Sequence, residues 1–343
     1  MNWIDTSYEI AMKDYFIKEL GETNGLNLYS KYEVLRNAMI EDNFFNEIKG
    51  AEPDLSDHSQ KHIQDVFSRA YKVIGKEEFK KFNIYEIYCL AIMILFHDVG
   101  NIRGRDNHYL QARISEVYNN YRANIQRFRD ERRIISRGAS AHSGKTNDGS
   151  LDTLKQISTD NLGGESINLI ELAAILRFAD ELAEGRQRTC SFLIENNLLD
   201  PGSLIFHKYA EITTIHIDRN LERISITYDI NIKHPFTRDE QKEIKELILF
   251  TFNRAVKLDI ERRYTKNYSD VLKAFKFVSV SYNFSKNEIP FEVNLKNILF
   301  EDQYPIPGEA FKKGKVYAEE LITSKDKDYI LSNLMESIKN KIK

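Results

Sequence analysis

Apolar residues recur at helical spacing through roughly the first 200 positions of the chain. The segments concerned mix apolar and charged residues and lack the strict alternation that half-buried strands show. We predict helices at Ser7–Leu20, Lys31–Ile48, His58–Ile74, Ile84–Phe96, Asn107–Asn124 and Ile167–Glu184. Glycines and capping residues separate these segments. We assign to loops or helix ends Gly21, Gly25, Ser56, Asp57, Gly75 and Gly185.

The segment Ile84–Phe96 is apolar on nearly all sides, and Ile167–Glu184 is a second strongly apolar helix. A helix with no polar face belongs in the interior of a protein. We therefore predict that Ile84–Phe96 is the central buried helix. It leads directly into the sequence His97-Asp98-Val99-Gly100.

The pattern changes after about residue 200, where β-branched residues alternate with polar ones. Tyr209–Asp218 and Glu222–Ile232 flank a turn and predict a β-hairpin. Further elements predicted are the helix Thr237–Arg262, the strands Lys276–Phe284 and Pro290–Leu299, and the C-terminal helix Ser324–Lys343. The predicted fold is mainly α, with a helical domain at 1–200 and a smaller α+β domain at 201–343.

Composition excludes several classes of protein. The chain has 343 residues, of which 42% are hydrophobic and 29% charged, and its mean hydropathy of −0.48 is that of a globular protein. The longest apolar run, Leu90–Phe96, is far shorter than the roughly 20 residues of a membrane span. A net charge of −3 argues against general coating of nucleic acid. Two cysteines form no disulfide framework, so we expect a cytoplasmic location.

Histidines are unevenly distributed along the chain. There are eight, and five of them lie between residues 58 and 142. The doublet His97-Asp98 at the end of the predicted core helix can direct an imidazole and a carboxylate at one divalent ion, or it can simply cap the helix. His62 and Asp180 also lie on apolar helical segments. The alternatives are a core histidine at position 62 and a salt bridge from Asp180 to Arg177, because an unpaired buried carboxylate is costly.

Three short motifs carry a family resemblance. His62-Ile-Gln-Asp-Val66, Phe96-His97-Asp98-Val99-Gly100 and Leu176-Arg-Phe-Ala-Asp180 resemble the signatures of the HD-domain metal-dependent phosphohydrolases, of the stand-alone bacterial type. The resemblance covers about residues 50 to 190 and implies an HD-type helical bundle. It also implies that His62, His97, Asp98 and Asp180 bind a metal ion.

The resemblance extends to a second ion. Members that hold two or three metals place extra histidines where His108 and His142 stand, on the helix after the doublet and on the next polar segment. This implies a binuclear site bridged by Asp98, while His58 could be a ligand or support one. The donor set suits Mn, Fe, Co, Ni or Zn better than Mg. Asn101 replaces the Lys of the cyclic-di-nucleotide enzymes, whose Gly-Tyr-Pro signature is also missing, which disfavours that substrate class.

The family chemistry implies hydrolysis of a nucleotide or related phosphoester by a metal-activated water. The expected catalytic residues are Asp98, His142 and Lys145, with His142 or Lys145 as the proton donor to the leaving group. Basic residues near the motifs are expected to bind substrate phosphates. These are Arg103, Arg105, Lys145, Arg186 and Arg188.

Two further interpretations concern the basic run between Arg122 and Arg137. We favour an ion-paired helix face that includes Asp130 and Glu131 over a polyphosphate or nucleic-acid groove.

The expected partner is a small phosphorylated substrate. We expect no membrane binding, we disfavour nucleic acid as a partner, and we leave open whether the chain forms a homo-oligomer. Alternatives to the enzyme are a nucleotide- or metal-sensing module of a bacterial signalling or defence system and, more weakly, a di-iron oxygenase.

Overall fold

The computed structural model describes residues 3–51, 59–121, 128–146, 149–232, 236–293, 298–302 and 335–341. It is mainly α-helical, with a smaller α+β part toward the C-terminus, as predicted. The chain divides into two compact units, Met1–Ala183 with Thr265–Lys273, and Glu184–Tyr264 with Ala274–Lys343. The division after Ala183 lies earlier than the predicted boundary at residue 200, and one later segment belongs to the first unit.

The first unit is a helical bundle with one small hairpin. Its elements are α1 Ser7–Leu20, α2 Glu22–Glu41, α3 Phe44–Ala51, α4 Gln60–Ile74, α5 Lys76–Phe79, α6 Ile84–Phe96, α7 Gln111–Tyr121, α8 Phe128–Ser140, β1 Asp160–Leu162, β2 Glu165–Ile167 and α9 Leu169–Leu182. Short 3₁₀ turns occur at Val99–Arg103 and Leu154–Gln156. The antiparallel β1–β2 hairpin, which turns at Gly163 and Gly164, was not predicted.

Helix α6 is the centre of the first unit. A capping box starts it: the Asn83 side chain accepts from the amide of Glu86, and the Glu86 carboxylate accepts from the amide of Asn83. Every side chain from Ile87 to Phe96 is buried. Among the described residues only Ile84–Arg103 is apolar and long enough to cross a membrane, and 83% of its most apolar window is buried inside the protein. The prediction of a central core helix is confirmed.

The structure corrects the prediction of a loop at Gly21 and Gly25. Gly21 does separate α1 from α2, at a φ of +77°. Gly25 instead lies inside α2, where a Cβ atom would come within 2.6 Å of the Ile17 backbone on α1. Glycine is needed there because the two helix backbones touch. The predicted single helix Lys31–Ile48 is interrupted at Asn43, whose φ is +58°.

Two other helix ends differ from the prediction. Helix α7 begins at Gln111 rather than Asn107, because residues 105–110 form turns. Helix α9 ends at Leu182, and Gly185 precedes a 3₁₀ turn, Arg186–Arg188, instead of capping the helix. Helix α4 begins at Gln60 with Ser59 as its N-cap, in place of the predicted caps Ser56 and Asp57. Those two residues lie outside the described part of the chain.

The second unit contains a five-stranded sheet and a long helix. Its elements are α10 Ser191–Glu195, α11 Leu204–Ile212, β3 Thr213–Asp218, β4 Arg223–Ile232, α12 Arg238–Thr265, β5 Phe277–Lys286, β6 Ile289–Phe291 and β7 Ile298–Glu301. The strand order is β3-β4-β5-β6, with β7 also paired to β5. Strands β4 and β5 are parallel, and the other pairs are antiparallel. Alternate residues such as Ile224, Ile226 and Tyr228 are buried.

The predicted hairpin is confirmed, with Thr213 of β3 opposite Tyr228 of β4. The first strand begins later than predicted, because residues 209–212 complete α11. The predicted strand Pro290–Leu299 is wrong as one element: β6 and β7 are separate strands that pair with different parts of β5. Of the predicted C-terminal helix, residues 335–341 are helical and the described part ends there.

Candidate metal centre

The His97-Asp98 doublet is placed by the end of the core helix. His97 is the C-cap of α6, and Asp98 opens the 3₁₀ turn Val99–Arg103. Because the helix is packed on all sides, it fixes the backbone positions from which both side chains extend. His97 is fully buried and Asp98 is 3% exposed.

Three helices contribute the first ligand group, which consists of His62, His97 and Asp180. His62 lies on α4, His97 ends α6, and Asp180 lies near the end of α9. The Nε2 atoms of His62 and His97 are 3.2 and 3.6 Å from Oδ1 of Asp180. One potential ligand atom from each residue lies within 4.8 Å of the other two, so the group can hold a metal ion.

The second ligand group consists of Asp98, His108 and His142, which also satisfy that distance. The Nε2 atoms of His108 and His142 are 3.4 Å apart, and they are 3.7 and 3.8 Å from Oδ1 of Asp98. His142 follows α8, as the sequence suggested. His108 does not lie on a helix as expected, because it belongs to the turn before α7.

Asp98 faces both groups with different oxygens. Its Oδ2 atom is 3.3 Å from Nε2 of His97 and 3.6 Å from Nε2 of His62. Its Oδ1 atom faces His108 and His142. The arrangement is the one a carboxylate needs to bridge two ions, and it brings all six predicted ligands together.

Three of the histidines are oriented by the same backbone device. The Nδ1 atoms of His97, His108 and His142 each lie at hydrogen-bond distance from the carbonyl oxygen three residues earlier, at 2.8, 3.0 and 2.6 Å. A carbonyl only accepts, so Nδ1 carries a proton and Nε2 is the ring nitrogen left to bind a metal ion. Histidine ligands of metals are oriented in this way. The donor set therefore fits one or two divalent ions.

The two groups differ in electrostatics. Burial lowers the pKa of His97, but the carboxylates of Asp98 and Asp180 outweigh it and raise this pKa to about 10. Burial, with a further contribution from the imidazoles of His97 and His108, lowers the pKa of His142 to about 3. Burial also lowers the pKa of His108. The carboxylates of Asp98 and Asp180 thus concentrate negative charge around His97, which suits a cation.

Arg105 is the predicted phosphate-binding residue that reaches the centre. Its Nη1 atom lies 3.8 Å from Oδ1 of Asp98, and its side chain is 47% exposed. Arg103 forms an ion pair with Glu116. Lys145 is exposed in the loop after His142.

The other two predicted phosphate-binding residues belong to the second unit. Arg186 donates from Nε to the carbonyl oxygen of Glu211 at 2.8 Å, and its guanidinium lies 3.5 Å from Asp229. Arg188 is buried and pairs with Glu184 at 3.0 Å.

The structure reveals contacts that the motifs did not indicate. Ser143 Oγ lies 3.2 Å from Nε2 of His108, and its position beside His142 was the only signal for it in the sequence. Arg177 donates to Thr153 Oγ1 at 3.0 Å, whereas Asp180 faces the two histidines.

The basic run forms local pairs within the first unit. Arg133 pairs with Asp130 and Asp160, and Arg137 also contacts Asp160. Glu131 is buried and accepts hydrogen bonds from Tyr88 and Tyr118. Two residues of the sequence analysis lie outside the described residues: Arg122 and His58.

Comparison with known proteins shows the family to which the chain belongs. A protein-family model described as HD-CE matches residues 52–254, which is more than half of the chain. The chain belongs to the HD-CE family. No curated protein and no solved structure matches it. All six ligands lie within the HD-CE match, which continues through most of α12.

Proposed function

We propose that this HD-CE protein is a metal-dependent phosphohydrolase that cleaves a nucleotide or a related phosphoester. The observation that supports this most is the pair of ligand groups joined by the two oxygens of Asp98. Divalent ions bound there would supply an activated water and neutralise phosphoryl oxygens as negative charge develops. The ions best suited to mixed histidine and carboxylate ligands are Mn, Fe, Co, Ni and Zn, with Mg less suited.

The chain's own residues would share three tasks. The ions would be held by the six residues of the two ligand groups, His62, His97, Asp180, Asp98, His108 and His142. Arg105, next to Asp98 and half exposed, is placed to contact a substrate phosphate. Lys145 is the better candidate for proton donation to the leaving group, because a pKa of about 3 makes His142 a neutral imidazole at neutral pH, and its remaining proton bonds to the Ala139 carbonyl.

The proposed location is the cytoplasm. Both cysteines are free thiols, Cys89 buried and Cys190 exposed, as is usual in a reducing compartment. The substrate would be a small phosphorylated molecule.

The test is hydrolysis of a nucleotide panel by the purified chain with Mn²⁺, Ni²⁺ or Co²⁺. We expect release of phosphate or opening of a phosphodiester, and a decrease of roughly a thousandfold or more in kcat/KM for Asp98→Ala, because several kcal/mol of charge stabilisation is lost. The matched control is Asp106→Ala, a carboxylate outside both ligand groups. Full activity in Asp98→Ala would contradict the proposal. A metal-loaded chain that binds nucleotides tightly without turnover would instead support a sensing module.

A further inference from the structure

One segment from the second half of the chain packs into the first unit. The segment Thr265–Lys273 begins at the last residue of the long helix α12 and belongs to the first unit. It lies beyond the residues that the HD-CE model matches.

Glu171 on α9 anchors the segment. Its Oε1 atom accepts hydrogen bonds from Ser269 Oγ at 3.0 Å and from the amide of Asp270 at 2.9 Å. Ser269 is 2% exposed. Because α9 also carries Asp180, the segment is fixed to a helix of the metal centre.

Tyr268 connects the segment to the loop that follows His142. Its hydroxyl lies 2.8 and 3.0 Å from the two carboxylate oxygens of Asp152, to which it donates. Hydrogen bonds to charged acceptors are stronger than those between neutral groups. The position of Asp152 therefore depends on Tyr268.

The next residue transmits this position to the centre. Thr153 is buried and donates from Oγ1 to the carbonyl oxygen of Ala141 at 2.7 Å. The same Oγ1 accepts from Nη1 of Arg177, which lies on α9 one turn before Asp180. Ala141 directly precedes His142 in the second ligand group.

We propose that Tyr268 is a positioning residue for the second ion, acting through Asp152 and Thr153 on the backbone that carries His142. The inference rests on the two-ion centre proposed above. In contrast, His62 and His97 are carried by α4 and by the end of α6, and Asp180 by the buried helix α9. Loss of the Tyr268 hydroxyl should therefore weaken one ion selectively.

The experiment is a titration of Mn²⁺ into the full chain after removal of metal by a chelator. In Tyr268→Phe we expect the dissociation constant of one ion to rise about tenfold, as for loss of one hydrogen bond to a charged group, and that of the other ion to change less than about twofold. Asp152→Ala should act in the same way, and the double variant should add little to either change. Tyr15→Phe is the control, because it removes a hydroxyl that bonds to the backbone of Lys80 and Phe82.

Hydrogen exchange gives a second readout that needs neither metal nor substrate. Amides of residues 141–146 and 149–154 should exchange faster in Tyr268→Phe than in Tyr15→Phe. Unchanged ion affinities and exchange, or an equal loss of both ions, would overturn the proposal. A wild-type chain that binds fewer than two ions would also overturn it.

Failure of the proposed hydrolase function is a separate outcome. A chain that binds two ions and loses one selectively in Tyr268→Phe, yet hydrolyses nothing in the nucleotide panel, would support the positioning role and contradict the function.

Discussion

The two ligand groups present similar side chains on different scaffolds. His62, His97 and Asp180 stand on or directly after helices whose packing fixes them. Asp98, His108 and His142 stand in turns, where backbone hydrogen bonds and neighbouring segments must fix them. The carboxylates of Asp98 and Asp180 raise the pKa of His97 in the first group, whereas burial lowers the pKa of His142 in the second. We infer that substitutions in the turns disturb the second group more easily than the first.

The largest effect that separates the groups is expected from Gly100→Ala. A Cβ atom at Gly100 would lie 1.9 Å from the carbonyl oxygen of His108 and 2.7 Å from its carbonyl carbon, so the turn that carries His108 must move. We expect the second ion to bind about 10- to 100-fold more weakly, with the first nearly unchanged. Mn²⁺ titration measures both constants.

Gly50→Ala is the matched control, because nothing lies within 4 Å of its added Cβ atom. Equal weakening of both ions in Gly100→Ala would contradict the distinction between the groups.

The pH dependence of ion binding tests the electrostatic difference. In the metal-free chain His97 is protonated below its pKa of about 10, so an ion entering the first group must displace that proton. The affinity of the first ion should therefore rise with pH, by up to about tenfold per unit through the neutral range. His142, with a pKa of about 3, is already neutral there and adds no such dependence to the second ion.

Titrations at several pH values measure both slopes. Equal slopes for the two ions would contradict the difference in charge between the groups.

The smallest effect is expected at Asp160, which accepts from Arg133 at 2.7 Å and stabilises α8 without touching the centre. The hydrogen bond from Arg133 lowers the pKa of Asp160, so its contribution is present above the ordinary pKa and lost as pH falls through the lowered value. Asp160→Asn should cost about 0.5–1 kcal/mol of unfolding free energy at neutral pH, and less in acid. Urea unfolding at both pH values checks this. Loss of the second ion in Asp160→Asn would show that the second group responds to the overall stability of the protein and not only to its own turns.

The helix-borne part of the centre was accessible from the sequence for a physical reason. Helix α6 has apolar residues on all faces and a capping box at Asn83, so both of its ends match the prediction. His62 and Asp180 could be selected because a polar side chain on an apolar segment needs a partner. The three motifs added the order of the ligands along the chain, which resembles that of the HD-domain signatures.

Turns and long-range contacts were less accessible. The turn that carries His108 depends on the close approach of Gly100, and the break in α2–α3 depends on a positive φ at Asn43. The position of Gly25 inside α2 reflects contact with another helix, and the Tyr268–Asp152 bond joins residues more than 100 positions apart. None of these leaves a local pattern in the sequence.

The most direct test of the account is the metal content of the purified full chain, measured by elemental analysis after exposure to Mn²⁺ and removal of loosely bound ions. We predict about two ions per wild-type chain, about one in His142→Ala, and none retained in Asp98→Ala, because Asp98 contacts both groups. A wild-type chain without retained metal, or the same content in all three proteins, would contradict the central claim that these residues form one bridged metal centre.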